Sequence, residues 1–311
     1  MHPIESEPGR APGPETLRPL LPSPLHALTD DRFARRGVRL LLKRDDLVHP
    51  DLPGNKWRKL APNVRAAVDR GCTTLLTFGG AYSNHLRATA AAGRLLGLST
   101  IGVVRGHELA DRPLNPSLRR CTADGMRLVF TDRSSYRRKA EPEVIEGLRE
   151  RFGDFCLVPE GGSNALAVRG CADLGRELRG RADVVAVACG TGGTLAGLAA
   201  GLGPEAQAVG FPVLKGGFLG RETERLQTEA FGRRTGNWRL EDRFHCGGYA
   251  RTSPELEAFA GDFTERHGLA VDLVYVAKML HGLTTLVTEG AFTPGTTVAA
   301  VVTGPVAGAG G

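Results

Sequence analysis

Lys56 stands in the stretch Pro53-Gly54-Asn55-Lys56-Trp57-Arg58-Lys59-Leu60, between a short apolar strand over 38–42 and a helix. Trp57, Leu60, Val64, Ala67 and Val68 keep helical spacing. Pro-Gly-Asn is a turn cluster, and Asn55 reads as the helix N-cap, which makes Lys56 the first helical residue. An ammonium is poorly placed there, because the free N–H groups and the helix dipole concentrate positive charge at that end. A lysine so placed has a lowered pKa, and a neutral amine can attack an aldehyde to form a Schiff base. The same pattern also fits a surface lysine on an amphipathic helix, so the rest of the chain has to decide.

Two further stretches suit an anion. Gly79-Gly80-Ala81-Tyr82-Ser83-Asn84-His85 follows an apolar strand over 73–78 and precedes an Ala/Leu helix over 86–96. Hydroxyl, amide and free N–H groups converge there, as a phosphate or carboxylate requires and as an ordinary Ser/Asn cap also does. Gly190-Thr191-Gly192-Gly193-Thr194 follows a strand over 183–189 and opens a helix over 195–202. It is no Walker loop, since no Gly-Lys-Ser/Thr follows, and Leu195 takes the third glycine position of a dinucleotide fingerprint. A loop this short and lined with threonine suits one terminal phosphate. Tyr249 and Tyr275, two of only four tyrosines, sit beside turns and are either functional or core filler. Asp45 and Asp46 are adjacent on a strand, point to opposite faces and read as structural.

Strands alternate with helices along the chain, which predicts a parallel sheet. The loop over 160–164 is a plausible hinge, and residues 1–18 read as disordered. With 311 residues, 41% hydrophobic, the chain suits two modest domains or one large α/β unit, and 42 glycines suit α/β loops. The net charge of +6 arises from Lys and Arg interleaved with acids, with no nucleic-acid signature. The six cysteines form no Cys-x-x-Cys pair or metal-ligand spacing and read as buried free thiols; no metal is expected. No leader and no membrane-length apolar run is visible, so a reducing cytoplasmic compartment is the expectation.

Taken together, these motifs resemble the fold-type II pyridoxal-phosphate enzymes, and most closely the 1-aminocyclopropane-1-carboxylate deaminase / D-cysteine desulfhydrase family. The carriers are Lys43-Arg44-Asp45-Asp46-Leu47, Gly54-Asn55-Lys56, Gly79 through His85, Pro159-Glu160-Gly161-Gly162-Ser163-Asn164, Cys189 through Thr194, and Val274-Tyr275. The resemblance implies a two-domain, tryptophan-synthase-β-like α/β fold with parallel-rich, open twisted sheets and flanking helices. A small domain would span 57–157, and a large one would combine 1–56 with 158–311, with the cofactor in the cleft between them. It also implies pyridoxal 5′-phosphate as cofactor, a small amino-acid substrate and a homodimer. Lys56 would carry the cofactor and move protons at the substrate α-carbon. Lys59 joins the cofactor-binding set, Asn84 would bond the ring hydroxyl, and Ser83 with Asn84 and His85 would meet the substrate carboxylate. Gly190, Thr191, Gly192, Gly193 and Thr194 would hold the phosphate. Tyr275 would pack near the ring, Tyr249 would serve as a second acid/base, and Thr303 would face the pyridine nitrogen.

The departures bear on the reaction. Cyclopropane deaminases of this family carry Glu after the ring-side tyrosine and Leu near the pyridine nitrogen, where this chain has Val276 and Thr303. Desulfhydrase-like members have Ser or Thr at the first position and Thr at the second. Leu273 and Ala277 replace the usual Pro and Gly, and Pro305 replaces a glycine. The expected reaction is α,β-elimination from a D-cysteine-like amino acid, giving ammonia and a 2-oxo acid. The alternatives are β- or γ-replacement or cyclisation in a biosynthetic pathway, cyclopropane-carboxylate deamination, and a non-catalytic cofactor- or amino-acid-binding relative.

Overall fold

The computed structural model of the chain describes residues 12–52 and 54–304. The stretch 1–11 read as disordered, Pro53 of the turn and Pro305 of the closing loop lie outside the described residues. Within 12–18 the expectation of disorder is corrected in part, since Pro14–Leu17 forms a 3-10 turn. The strands in chain order are β1 (Leu25–Leu28), β2 (Arg39–Arg44), β3 (Thr74–Gly80), β4 (Ser99–Arg105), β5 (Met126–Thr131), β6 (Cys156–Val158), β7 (Val184–Cys189), β8 (Gln207–Pro212), β9 (Asn237–Leu240) and β10 (Thr297–Val302). The helices are α1 (Asp31–Ala34), α2 (Asn55–Asp69), α3 (Asn84–Leu96), α4 (Pro116–Ala123), α5 (Arg133–Arg137), α6 (Pro142–Phe152), α7 (Ala165–Leu178), α8 (Gly193–Leu202), α9 (Leu219–Phe231), α10 (Pro254–His267) and α11 (Val276–Thr288).

The chain divides into two compact units, Met1–Pro19 with Leu60–Gly162 and Leu20–Lys59 with Ser163–Gly311. The division falls inside α2, which leaves Lys56 and Lys59 in the second unit. That unit is built on a six-stranded sheet of order β1-β2-β10-β7-β8-β9, parallel except for the β1–β2 pair. Strand residues alternate between its two faces, as the pleat requires. Leu40, Leu42, Val298, Ala300 and Val302 pack with α11 and α10, while Leu41, Ala299 and Val301 pack with α7 and α8. Both faces are covered, which is why β7 and β10 read as unbroken apolar runs.

The other unit has a parallel four-stranded sheet of order β5-β4-β3-β6. Leu76, Phe78, Ile101 and Val103 fill one face, and Leu86 and Ala90 of α3 pack with Val104 and Met126 on another. The five apolar positions read along α2 are all buried. Cys72 and Cys156 are not the free thiols expected: they form a disulfide with Cα atoms 6.1 Å apart. Sheet register brings them together, because Cys156 lies opposite Leu75 and Cys72 stands two residues before the start of that strand. Cys121, Cys171, Cys189 and Cys246 are free. No helix among the described residues is long and apolar enough to cross a membrane.

Candidate active site

The entry to α2 is fixed by a close backbone approach. Gly54 has φ +70°, and a Cβ on it would lie 1.7 Å from the Thr303 carbonyl oxygen, so only glycine passes there. The next N–H, of Asn55, donates to that same carbonyl at 3.2 Å. Asn55 is therefore the first helical residue and not the N-cap the sequence suggested. Its side-chain amide donates to Thr194 Oγ1 at 2.8 Å, tying the start of α2 to the 190–194 loop. Lys56 still falls in the first turn, against the positive end of the dipole.

Lys56 keeps part of its surface open, yet its amine is pushed down to about 7, first by burial and then by the neighbouring Lys59 charge. A substantial fraction of this amine is neutral at physiological pH. The turn that carries it is anchored by a buried ion network. Arg58 places Nε and Nη2 on the two Asp45 oxygens at 2.8 Å each and reaches Glu177 of α7 at 2.9 Å. Lys43 Nζ is 2.6 Å from Glu177 Oε2, and Ser23 Oγ donates to Asp45 Oδ1 at 2.6 Å. Asp45 is wholly buried and Asp46 pairs separately with Arg44. The two acids thus serve structure, on a 3-10 turn after β2 instead of on the strand.

One turn beyond Lys56, Lys59 is 2% exposed and lies beside the 190–194 loop. Its Nζ is 3.1 Å from Ser163 Oγ and 3.4 Å from Thr191 Oγ1, and those two hydroxyls are 2.5 Å apart. Burial lowers its pKa as well. Gly192 precedes α8 in the left-handed region and, having no side chain, supplies no cap to the first N–H groups of the helix. A Cβ on Gly193 would come within 2.9 Å of Ser163 Oγ and 3.2 Å of Lys59 Nζ, so that glycine keeps the cradle open. An ammonium, two hydroxyls and an uncapped helix start form a donor set that fits a phosphate dianion. A neutral amine in the same unit fits an aldehyde. The residues present therefore fit pyridoxal phosphate.

Tyr275 lies against the start of this loop: a Cβ on Gly190 would be 3.5 Å from its ring and 3.6 Å from its hydroxyl. It immediately precedes α11, where the Asp272 carboxylate accepts from the N–H groups of Val274, Tyr275 and Val276 at 2.7–3.1 Å. Tyr249, 41% exposed, meets Tyr275 edge-on, with ring centroids 6.1 Å apart at 72°. Thr303 is buried directly after β10. The second unit thus brings together Lys56, Lys59, the 190–194 loop, Tyr249, Tyr275 and Thr303.

Ser83, Asn84 and His85 lie in the other unit, at the start of α3. Ser83 is the N-cap, its Oγ accepting from Leu86 N–H at 3.3 Å, and Asn84 is exposed. His85 turns inward: it is 2% exposed and its Nε2 is 2.8 Å from Thr77 Oγ1 on β3. It braces the first turn of α3 against β3. Sequence reasoning placed Ser163 in a family motif without giving it a role, and did not single out Glu177. Ser163 carried a signal, because Gly161-Gly162-Ser163-Asn164 repeats the glycine-then-Ser-Asn entry to α3, and Asn164 caps α7. Glu177 carried one too, as an acid on the apolar face of α7 beside Leu174 and Leu178.

A family model described as "Pyridoxal-phosphate dependent enzyme" matches residues 17–304. A Thermotoga maritima protein named putative 1-aminocyclopropane-1-carboxylate deaminase is 32% identical over 281 residues, covering 85% of this chain and 88% of that protein. A Klebsiella pneumoniae D-cysteine desulfhydrase is 28% identical over 283 residues, covering 82% and 83%. The crystal structure of a homologue of 1-aminocyclopropane-1-carboxylate deaminase superposes with a TM-score of 0.78 at 27% identity, covering 91% of this chain and 89% of that one. With the donor cradle and the lysine beside it, these matches establish that the chain belongs to the family of pyridoxal-phosphate dependent enzymes.

Proposed function

We propose that the chain catalyses α,β-elimination from a small D-cysteine-like amino acid, releasing ammonia, a 2-oxo acid and the β-substituent. The observation that carries this reading is the Lys56 amine, held at about 7 within the unit that also holds the anion cradle. Bound there, pyridoxal phosphate supplies the electron sink that lets the substrate α-proton leave. Lys59, Ser163, Thr191, Thr194 and the first N–H groups of α8 hold its phosphate. Neutral Lys56 takes the α-proton and later returns one. Tyr249 gives a proton to the departing sulfur. Ser83 and Asn84, at the positive end of α3, take the substrate carboxylate. For D-cysteine the Cα–H and Cβ–S bonds break and one water is consumed, giving pyruvate, ammonia and hydrogen sulfide.

One side chain favours elimination over ring opening: Thr303 offers a neutral hydroxyl after β10, whereas Val276, buried at the start of α11, matches neither the deaminase nor the desulfhydrase pattern. Deamination of 1-aminocyclopropane-1-carboxylate is the second reading, supported by the name of the Thermotoga relative. By resemblance to its family the enzyme works as a homodimer. A cytoplasmic location rests on the four unpaired cysteines, with the Cys72–Cys156 disulfide standing against it. The test is to incubate cofactor-loaded protein with D-cysteine, β-chloro-D-alanine and 1-aminocyclopropane-1-carboxylate and to measure 2-oxo acid and ammonia. Pyruvate from the first two is expected. No 2-oxo acid from either would refute elimination, and 2-oxobutanoate from the third alone would establish the second reading.

A further inference from the structure

The segment that carries Tyr249 is irregular and conformationally costly. Cys246, Gly247, Gly248 and Ala250 all have positive φ, at 53°, 85°, 136° and 53°. Two of these are not glycine, so the surrounding structure must hold the backbone in place. The group that does so is Lys278, in the first turn of α11 and wholly buried. Its Nζ donates to the His245 carbonyl at 2.9 Å and to the Gly248 carbonyl at 2.8 Å. These oxygens flank the Cys246-Gly247 turn, and Gly248 directly precedes Tyr249.

An ammonium is doubly disfavoured at that place. It is removed from water, and it sits at the positive end of a helix. Burial lowers its pKa, and the nearby Asp272 and Cys246 only partly oppose this. Apolar packing does not call for a charge there, since Val276, Met279, Leu280 and Leu283 already fill the α11 face of the core. The two carbonyls do. Tyr275, by contrast, is held by the Asp272 cap, so the two rings of the edge-on pair have separate supports.

We propose that Lys278 is a positioning residue: by tying the His245 and Gly248 carbonyls to the first turn of α11, it holds Tyr249 edge-on to Tyr275 and fixes where the Tyr249 hydroxyl delivers its proton. This rests on the role given to Tyr249 above. The experiment compares cofactor-loaded wild type, Lys278→Met, Tyr249→Phe and the double variant, by amide hydrogen exchange and by steady-state kinetics on whichever substrate is turned over. In Lys278→Met, exchange in the 245–251 segment should quicken roughly tenfold or more. Exchange in β7 and α8 should be unchanged. kcat should fall by up to about 100-fold with little change in KM. In the Tyr249→Phe background, Lys278→Met should cost nothing further.

Unchanged exchange in 245–251 overturns the proposal, and so does an equal kcat loss in both backgrounds. If Tyr249→Phe is fully active, the catalytic role of Tyr249 fails, while the exchange data still decide whether Lys278 holds the segment. Should Lys278→Met not fold, Lys278→Leu, which also removes the donor to both carbonyls, takes its place with the same expected outcomes. If neither folds, Lys278 is a folding residue and the proposal is wrong.

Discussion

Lys59→Met should change the protein in opposite directions with and without cofactor. Methionine keeps the length of the stem and removes the ammonium lying 3.1 Å from Ser163 Oγ and 3.4 Å from Thr191 Oγ1. Those hydroxyls are 2.5 Å apart and remain partners for each other, so neither is orphaned. In the cofactor-free protein a buried charge is lost, together with its repulsion of Lys56, and the unfolding midpoint should hold or rise. In the loaded protein a charge-assisted hydrogen bond to phosphate is lost, worth about 1.5–3 kcal/mol. At about 1.4 kcal/mol per decade, that weakens cofactor binding roughly 10- to 140-fold. The Lys59 charge is also the second cause holding Lys56 at about 7, so the substitution should move the Lys56 pKa upward. Equilibrium titration with pyridoxal phosphate, followed by absorbance, reads the affinity. The pH dependence of the loading rate reads Lys56: loading accelerates as the amine loses its proton, and the midpoint should lie higher in the variant. Wild-type affinity together with an unmoved midpoint would refute the assignment of Lys59 to the phosphate cradle.

Three more outcomes follow from the geometry. Arg58→Met leaves Asp45 buried without its partner and should cost about 3–5 kcal/mol in chemical denaturation; a loss near zero would mean the network is dispensable. The Cys72→Ser, Cys156→Ser variant opens a link across 84 residues and should lose about 2–4 kcal/mol relative to oxidised wild type. Equal stability under non-reducing conditions would show that the link is absent in solution. Lys56 also makes stability depend on pH. Its folded pKa of about 7 lies below its ordinary value of 10.5, so between these the unfolded chain binds more protons and folding gains as pH rises. The stability of cofactor-free wild type relative to Lys56→Ala should therefore climb from neutral to alkaline pH, and a flat difference would contradict the lowered pKa.

What could be read from the sequence was local. The Lys56 turn and the 190–194 loop each sit in one strand–loop–helix stretch, and the helix over 254–267 and the strand over 297–302 are set by caps and apolar runs. Contacts made across the chain were not legible. Ser163 meets Thr191 28 residues away, and Lys278 meets Gly248 30 residues away, and no local pattern says which distant segment either one meets. Insertion of β10 between β2 and β7 likewise depends on which apolar strand fits a doubly covered centre, and many would fit by composition. Asn55 looked like a cap because asparagine so often is one; the Thr303 carbonyl and the Thr194 hydroxyl claimed its N–H and its amide instead. His85 looked like a ligand by its neighbours, yet the period of α3 turns it toward β3. The helix over 165–178 passed unread although Val168, Cys171, Ala172, Leu174 and Leu178 trace one buried face.

The most direct measurement is borohydride reduction of cofactor-loaded protein followed by peptide mass spectrometry. The pyridoxyl adduct is expected on the peptide containing Lys56, at that lysine alone, with none in Lys56→Ala. An adduct on Lys59, Lys278 or another lysine, or no adduct on a protein saturated with pyridoxal phosphate, would contradict the assignment of the site.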